Sequence, residues 1–203
     1  AIMAEGLTAV PLYARQAASE LVAMMKDCSP SLICCGDEVL ADSIVREWAE
    51  APPNFSMSKV FTGSRPPVSD VSVATKSDDV ATIIYTSGTS GEAKGVMLNA
   101  GNVTHMIGRT SGRLDQLMKR GVGQDAVFHY LPFCFAGSWI LLLTCLLRGS
   151  RLTLNTDLGK VASDMRAASP EYFLNVPALL ERMRKAVDEQ LWQSGGFPLK
   201  VYS

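Results

Sequence analysis

The sequence predicts an α/β fold, a mostly parallel sheet with helices on both faces. Short apolar, β-branched runs alternate with helix-length amphipathic stretches along almost the whole chain. Val80 to Tyr85 and Ser31 to Cys35 are apolar runs rather than alternating ones, as strands covered on both faces are. Hydrophobic residues make up 47 % of the 203 residues and charged residues 19 %, enough apolar mass for a sizeable core and too little charge for disorder. One large domain or two small ones fit this length.

In chain order, Ala9 to Tyr13 reads as a short strand, followed by a helix over Ala17 to Lys26. Ser31 to Cys35 is an apolar strand, and Glu38 to Glu50 is helical in pattern. Pro52-Pro53 and Pro66-Pro67 bracket a loop-rich connector in which Lys59-Val60-Phe61 is the one strand candidate. Val80 to Tyr85 reads as a buried strand. Asn99 or Asn102 offers a cap for a helix running towards Arg120. Strands are expected at Val127 to Leu131, Arg151 to Leu154 and Tyr172 to Leu174, alternating with helices at Ser138 to Leu147 and Leu158 to Ala168. A last helix begins at Pro177, which suits a first helical turn, and Leu180, Met183, Val187 and Leu191 recur on one of its faces.

The net charge of −1 argues against a nucleic-acid footprint, and no Lys/Arg cluster reverses that. Five cysteines, odd in number and set in apolar surroundings, read as buried thiols of a reducing, cytoplasmic compartment. No secretory signal opens the chain. From Phe128 to Leu147 the titratable His129 is the one ionisable side chain apart from thiol and phenol, yet Pro132 and Gly137 break the run. Its helical remainder is too short to span a bilayer, so a buried core helix is expected, with at most peripheral membrane contact.

Chemistry concentrates in Tyr85 to Val96, which reads YTSGTSGEAKGV. Gly88, Gly91 and Gly95 alternate with the hydroxyls of Thr86, Ser87, Thr89 and Ser90, and Lys94 supplies a cation. Glycine allows successive N–H groups to converge on one anion, hydroxyls add donors, and lysine adds a mobile charge. Such a segment is built to hold phosphate. The Walker spacing fails at Ala93 and at Gly95, and no G-x-G-x-x-G is present.

The segment from Ile83 to Lys94 resembles the signature loop of the adenylate-forming enzymes, with Asp79 similar to the usual lead-in. Ala9 to Tyr13, the aromatic run Leu131 to Gly137 and Val176-Pro177 are also similar to that family, so nearly the whole chain can be laid on its N-terminal domain. The spacing towards Gly195–Ser203 looks most like the long-chain fatty acyl-CoA synthetase branch. Departures from the pattern are Ala93 for proline, Cys134 for histidine, and Asn99-Ala100 for Thr-His. The chain opens in mid-pattern, and the family's adenine, ribose and lid motifs are not found in it. The expectation is therefore part of one AMP-binding N-terminal domain, residues 1–203, with the C-terminal lid outside it.

The resemblance implies that a longer parent activates a carboxylic acid, a fatty acid by the branch, with ATP and Mg2+, and passes the acyl group to CoA. Thr86, Ser87, Gly88, Thr89, Ser90, Gly91 and Lys94 would hold the β- and γ-phosphates, Lys94 as the catalytic cation; no residue is assigned to the metal. Phe133, Phe135 and Trp139 are candidates for an acyl tunnel, although aromatic core is the plainer reading. His129 reads as core, His105 has no evident partner, Asp78-Asp79 as a solvated lead-in, and Arg182 to Lys185 as a solvated helix side. Three alternatives stand beside this: loading of a carrier protein in place of CoA, a nucleotide-binding module without turnover, and a remnant whose uncovered apolar faces drive association.

Overall fold

The computed structural model describes residues 2–60, 73–87, 92–118 and 125–193. They form two compact units, one from Ala1–Gln124 with Leu131–Ser150, the other from Asp125–Tyr130 with Arg151–Ser203.

In the first unit, α1 (Ala18–Cys28) turns Leu21, Val22, Met24 and Met25 inward. It stops at Ser29, whose left-handed backbone (φ 46°) lets its N–H donate to Met25 O at 2.9 Å. β1 (Ile33–Cys35) leads into α2 (Glu38–Glu47), where Asp37 caps the first turn by accepting from Leu40 N at 2.8 Å. α2 is three residues shorter than its pattern and ends where Trp48 N donates to Ile44 O. β2 (Asn54–Ser56) returns parallel to β1, pairing Ile33 with Asn54. Leu21, Val22, Met24, Met25, Ile33, Cys35, Ala41 and Ile44 make one core cluster. Each large apolar side chain there contributes about 2 kcal/mol by leaving water.

Two expected strands are not present in that form. Ala9 makes a single parallel bridge to Thr82, with Ala9 N on Ala81 O and Ile83 N on Ala9 O, and the ladder goes no further. Pro11 has no N–H to extend it. Lys59 and Val60 belong to a one-turn helix, α3 (Met57–Val60), and the strand lies just before them in β2. The Ser56 hydroxyl accepts from Ser58 N and bonds the Ser58 hydroxyl at 2.7 Å, turning the chain there. Phe61 lies outside the described residues.

β3 (Val80–Ser87) pairs antiparallel with β4 (Ala93–Asn99), a strand the sequence reading did not include. This hairpin departs from the parallel rule kept by β1–β2. Thr82, Ile84 and Leu98 share the face towards α4 (Ala100–Met118) and α5 (Ala136–Arg148), and Tyr85 reaches the opposite layer, α1. Asn99 caps α4: Asn102 N donates to Asn99 Oδ1 at 2.7 Å, and Asn99 N donates back to Asn102 Oδ1. Gly101 fits against the Ser77 carbonyl, to which its N–H donates at 2.8 Å; a Cβ there would stand 3.2 Å from that oxygen.

α5 ends in a Schellman-type turn at Gly149 (φ 64°), with Ser150 N on Cys145 O. Its inward residues are largely polar (Ser138, Thr144 and a fully buried Arg148), and Leu146 and Leu147 are 70 % and 59 % exposed. The expected buried core helix is therefore half surface. No described helix is long and apolar enough to cross a membrane.

The second unit centres on β5 (Ala126–His129), flanked in parallel by β6 (Arg151–Leu154) and β7 (Tyr172–Phe173) in the order β6-β5-β7. Val127, Phe128 and His129 are buried in that central strand. α6 (Val161–Ala168) follows a short 3-10 turn capped by Asp157, which accepts from Gly159 N. Asn175 Oδ1 accepts from Tyr130 Oη at 2.7 Å and from Val176 N at 2.8 Å, setting the chain for Pro177 to open α7 (Pro177–Gln193). Leu180 and Met183, half of the expected apolar stripe, are exposed.

Candidate functional site

The glycine-rich segment joins β3 to β4, and the register of those strands sets its neighbours. Ser87 pairs with Ala93, Thr86 with Lys94, and Tyr85 with Gly95. Residues directly opposite in an antiparallel pair send side chains to the same face, about 5 Å apart at Cβ. The Thr86 hydroxyl and the Lys94 ammonium are thus brought to one face, and both side chains are exposed. Ser87 closes the ladder through its backbone. Gly88, Thr89, Ser90 and Gly91 lie outside the described residues.

Just below this pair, Tyr85 is held on the other face. Its hydroxyl donates to Asp27 Oδ2 at 2.6 Å and approaches the Met24 carbonyl at 2.9 Å, both on the last turns of α1. Burial, then the hydrogen bond to the Asp27 carboxylate, push the phenol well above its usual range. Its ring lies across Gly95, where a Cβ would stand 3.2 Å from Tyr85 Cζ and 2.9 Å from Ile83 Cγ2. The sequence reading opened the motif at Tyr85 without giving that residue a role; the facing glycine ten residues on was the available signal.

Of the aromatic candidates, Trp139 lines a cavity of about 50 Å³ with Thr82, Ile84, Leu98, Ile107 and Leu143. That is far below the several hundred Å³ of a ligand pocket. Phe135, at the N-cap of α5, is 52 % exposed, and neither it nor Phe133 lines the cavity. A larger opening of about 770 Å³ lies between residues 7–14, α1, β1 and the hairpin, lined by Leu21, Met25, Ile33 and Ile83 among others. Cys28, Cys34 and Cys35 also line it, and burial raises all three thiols, so at neutral pH they stand protonated as small apolar groups. Cys35 and Cys145 are buried as expected, Cys28 and Cys134 half-buried, and Cys34 exposed. Alternation along β1 turns Cys34 away from the core that takes Ile33 and Cys35.

Asp79 is a turn former: it accepts from Lys76 N at 2.7 Å, and its carbonyl accepts from Ala100 N. His129 is buried in β5, and His105 is exposed on α4. Among the described residues no group of three or more His, Cys, Asp or Glu could hold a metal ion. Magnesium keeps most of its waters and binds chiefly through substrate phosphates, so it would enter with a nucleotide rather than settle in a protein cage.

The sequence matches the family described as AMP-binding enzyme over residues 1–199. It is 27 % identical over 161 residues to a long-chain-fatty-acid–CoA ligase of Rattus norvegicus, covering 77 % of this chain and 22 % of that protein. A long chain acyl-CoA synthetase of Arabidopsis thaliana is 29 % identical over 123 residues, 60 % of this chain and 18 % of its own. The chain thus spans about a fifth of the length of these curated relatives. The fold is similar to o-succinylbenzoate CoA synthetase from Bacillus subtilis with its acyl-adenylate intermediate, at TM-score 0.71 and 16 % identity, over 90 % of this chain and 46 % of that one. It is equally similar to the inhibitor-bound N-terminal domain of FACL13 from Mycobacterium tuberculosis, at TM-score 0.70 and 23 % identity, over 88 % and 46 %. The Bacillus subtilis synthetase in complex with ATP and magnesium ion matches at TM-score 0.65 and 16 % identity, over 84 % and 44 %.

Proposed function

The chain belongs to the AMP-binding enzyme family, and from that premise we propose that it is the phosphate-holding part of an acid–CoA ligase that activates a fatty acid. The observation that carries the reading is the exposed Thr86–Lys94 pair, hydroxyl and ammonium on one face at the mouth of the glycine-rich segment. In this reading the acid's carboxylate oxygen attacks the α-phosphorus of ATP. An O–P bond forms, the bond to the bridging oxygen breaks, and pyrophosphate leaves. Thr86, Ser87, Gly88, Thr89, Ser90 and Gly91 donate hydrogen bonds to the β- and γ-phosphates, and Lys94 offsets the charge that builds on the departing group. Magnesium, bound with the nucleotide, neutralises phosphate oxygens. The CoA sulfur then attacks the acyl carbonyl and AMP leaves.

Fatty acid as the substrate class rests on the relatives, which are named as long-chain acyl-CoA ligases. The domain proposed for residues 1–203 is one part of an N-terminal AMP-binding domain, and the compartment proposed is the cytoplasm, on the odd number of cysteines and their apolar surroundings. The test is ATP–pyrophosphate exchange with acids from acetate to palmitate, on this chain and on any longer product of its gene. Exchange by the longer product, strongest with long acids, is the expected result. ATP binding by this chain with exchange by neither would move the reading to a nucleotide-binding module. Acyl transfer to a carrier protein in preference to CoA would move it to an adenylation domain.

A further inference from the structure

The hairpin carrying Thr86 and Lys94 is held from both sides, and the two attachments differ in kind. On the face of Thr82, Ile84 and Leu98 the contact with α4 and α5 is largely apolar, and its directional bonds lie at the far end of the hairpin, where Thr82 Oγ1 donates to Ala9 O at 2.7 Å and Ala100 N to Asp79 O at 2.9 Å. On the other face the tie to α1 is directional: the Tyr85 hydroxyl, 2.6 Å from Asp27 Oδ2 and 2.9 Å from Met24 O. It sits one residue pair below Thr86–Lys94 and two below Ser87–Ala93, the last pair before the glycine-rich segment.

We propose that Tyr85, Asp27 and Gly95 form a latch that fixes the root of the glycine-rich segment on the end of α1, making Tyr85 a positioning residue for phosphate holding. The proposal rests on the function proposed above. A phenol donating to a carboxylate makes a charge-assisted hydrogen bond, roughly twice as strong as a neutral one. Direction matters as much as strength. An apolar layer lets a strand slide by tenths of an ångström at little cost, whereas a 2.6 Å hydrogen bond defines both distance and angle. Gly95 is part of the latch because the ring crosses the space a Cβ would occupy, 3.2 Å from Cζ and 3.4 Å from Cε1. A side chain there would first meet the Ile83 methyl, 2.9 Å from the added Cβ, and would press the ring by a few tenths of an ångström, against a hydrogen bond to Asp27 that is only 2.6 Å long. The Cys28 thiol lies beside the same hydroxyl, so Asp27 and Cys28 are the titratable groups facing it. With the root fixed, Thr86 and Lys94 meet an anion already in register, and less ordering is left to the moment of binding.

The test is hydrogen exchange on this chain and its Tyr85→Phe, Asp27→Asn and Asp27→Leu variants, alongside calorimetric titration with MgATP. Tyr85→Phe keeps the ring and loses the hydrogen bond. It should speed exchange of amides 82–87 and 93–97 at least fivefold, with α5 amides unchanged. Asp27→Leu should do the same, and Asp27→Asn, which keeps an acceptor, should recover most of the protection. MgATP affinity should fall several-fold in Tyr85→Phe and Asp27→Leu. Unchanged hairpin exchange in both variants overturns the latch. Equal acceleration throughout the unit, α5 included, also overturns it, because Tyr85 would then only support the core. If the unmodified chain binds no MgATP, the phosphate reading fails by itself, and the exchange pattern still decides whether the latch exists.

Discussion

Lys94, the cation of the proposed site, has an exposed side chain, so its removal should cost chemistry and spare the fold. Lys94→Ala in the exchange-competent product is expected to slow ATP–pyrophosphate exchange at least tenfold (about 1.4 kcal/mol) with an unchanged melting curve; unchanged exchange would remove Lys94 from the account. Tyr85 gives a prediction in pH. Its phenol is raised above an ordinary value of 10.0 by burial and by Asp27. Above pH ~10 the unfolded chain therefore releases a proton that the folded chain keeps, and stability must fall as pH rises. Denaturant titrations from pH 8 to 11 should show a steeper alkaline loss in the unmodified chain than in Tyr85→Phe; parallel curves would contradict it. Among thiols, Cys34 should alkylate first at neutral pH and Cys35 and Cys145 only on unfolding, by mass spectrometry of labelled peptides. Legibility at this scale follows distance along the chain. The Asn99–Asn102 cap spans three residues and could be read; Asp27 lies 58 residues from Tyr85, and nothing local joins them.

Among elements, the long helices and the parallel strands β1, β5, β6 and β7 kept their patterns to within a few residues, because a buried face imposes periodicity on sequence, whereas β2 and α3 fall in the connector where the reading had a strand at Lys59 to Phe61. β4 had no such signature: five of its seven residues are exposed, and Lys94 and Gly95 read as loop. Ala9 to Tyr13 failed for the opposite reason, an apolar run with Pro11 in the place of a ladder donor. α5 was legible as a helix, but its inward side was not. Arg148, at its last turn, is fully buried and donates to Ser111 O, Ser111 Oγ and, at 2.6 Å, Asp115 Oδ1 on α4. An arginine at the end of an apolar run ordinarily reads as a solvated terminus. Arg148→Ala should destabilise the first unit by about 2 kcal/mol, the scale of a charge-assisted hydrogen bond lost from a half-exposed carboxylate. A melting temperature within a degree of the parent would show that the α4–α5 contact holds without it.

For the whole chain, the alternation of strand and helix patterns predicted the α/β class and composition predicted enough core, but neither told which apolar residues stay outside. Leu146, Leu147, Met97 and Trp192 are each well over half exposed, and a net charge of −1 supplies little repulsion. Concentration-dependent sedimentation at pH 7 is expected, reduced by Leu146→Glu with Leu147→Glu; a monodisperse parent at every concentration would count against those faces. The hairpin also sets the electrical character of the site. The described chain after the glycine-rich segment is β4, and α4 begins only at Ala100. Among the described residues, the chain that follows the segment is a strand and supplies no helix N-terminus with its partial positive charge of about half a unit. In the proposed site the charge on the described residues is then the exposed ammonium of Lys94, whose field salt attenuates within about 8 Å at physiological ionic strength. On the proposed reading, added salt should weaken phosphate binding through Lys94 while the hydrogen-bond donors of Thr86 to Gly91 are left in place.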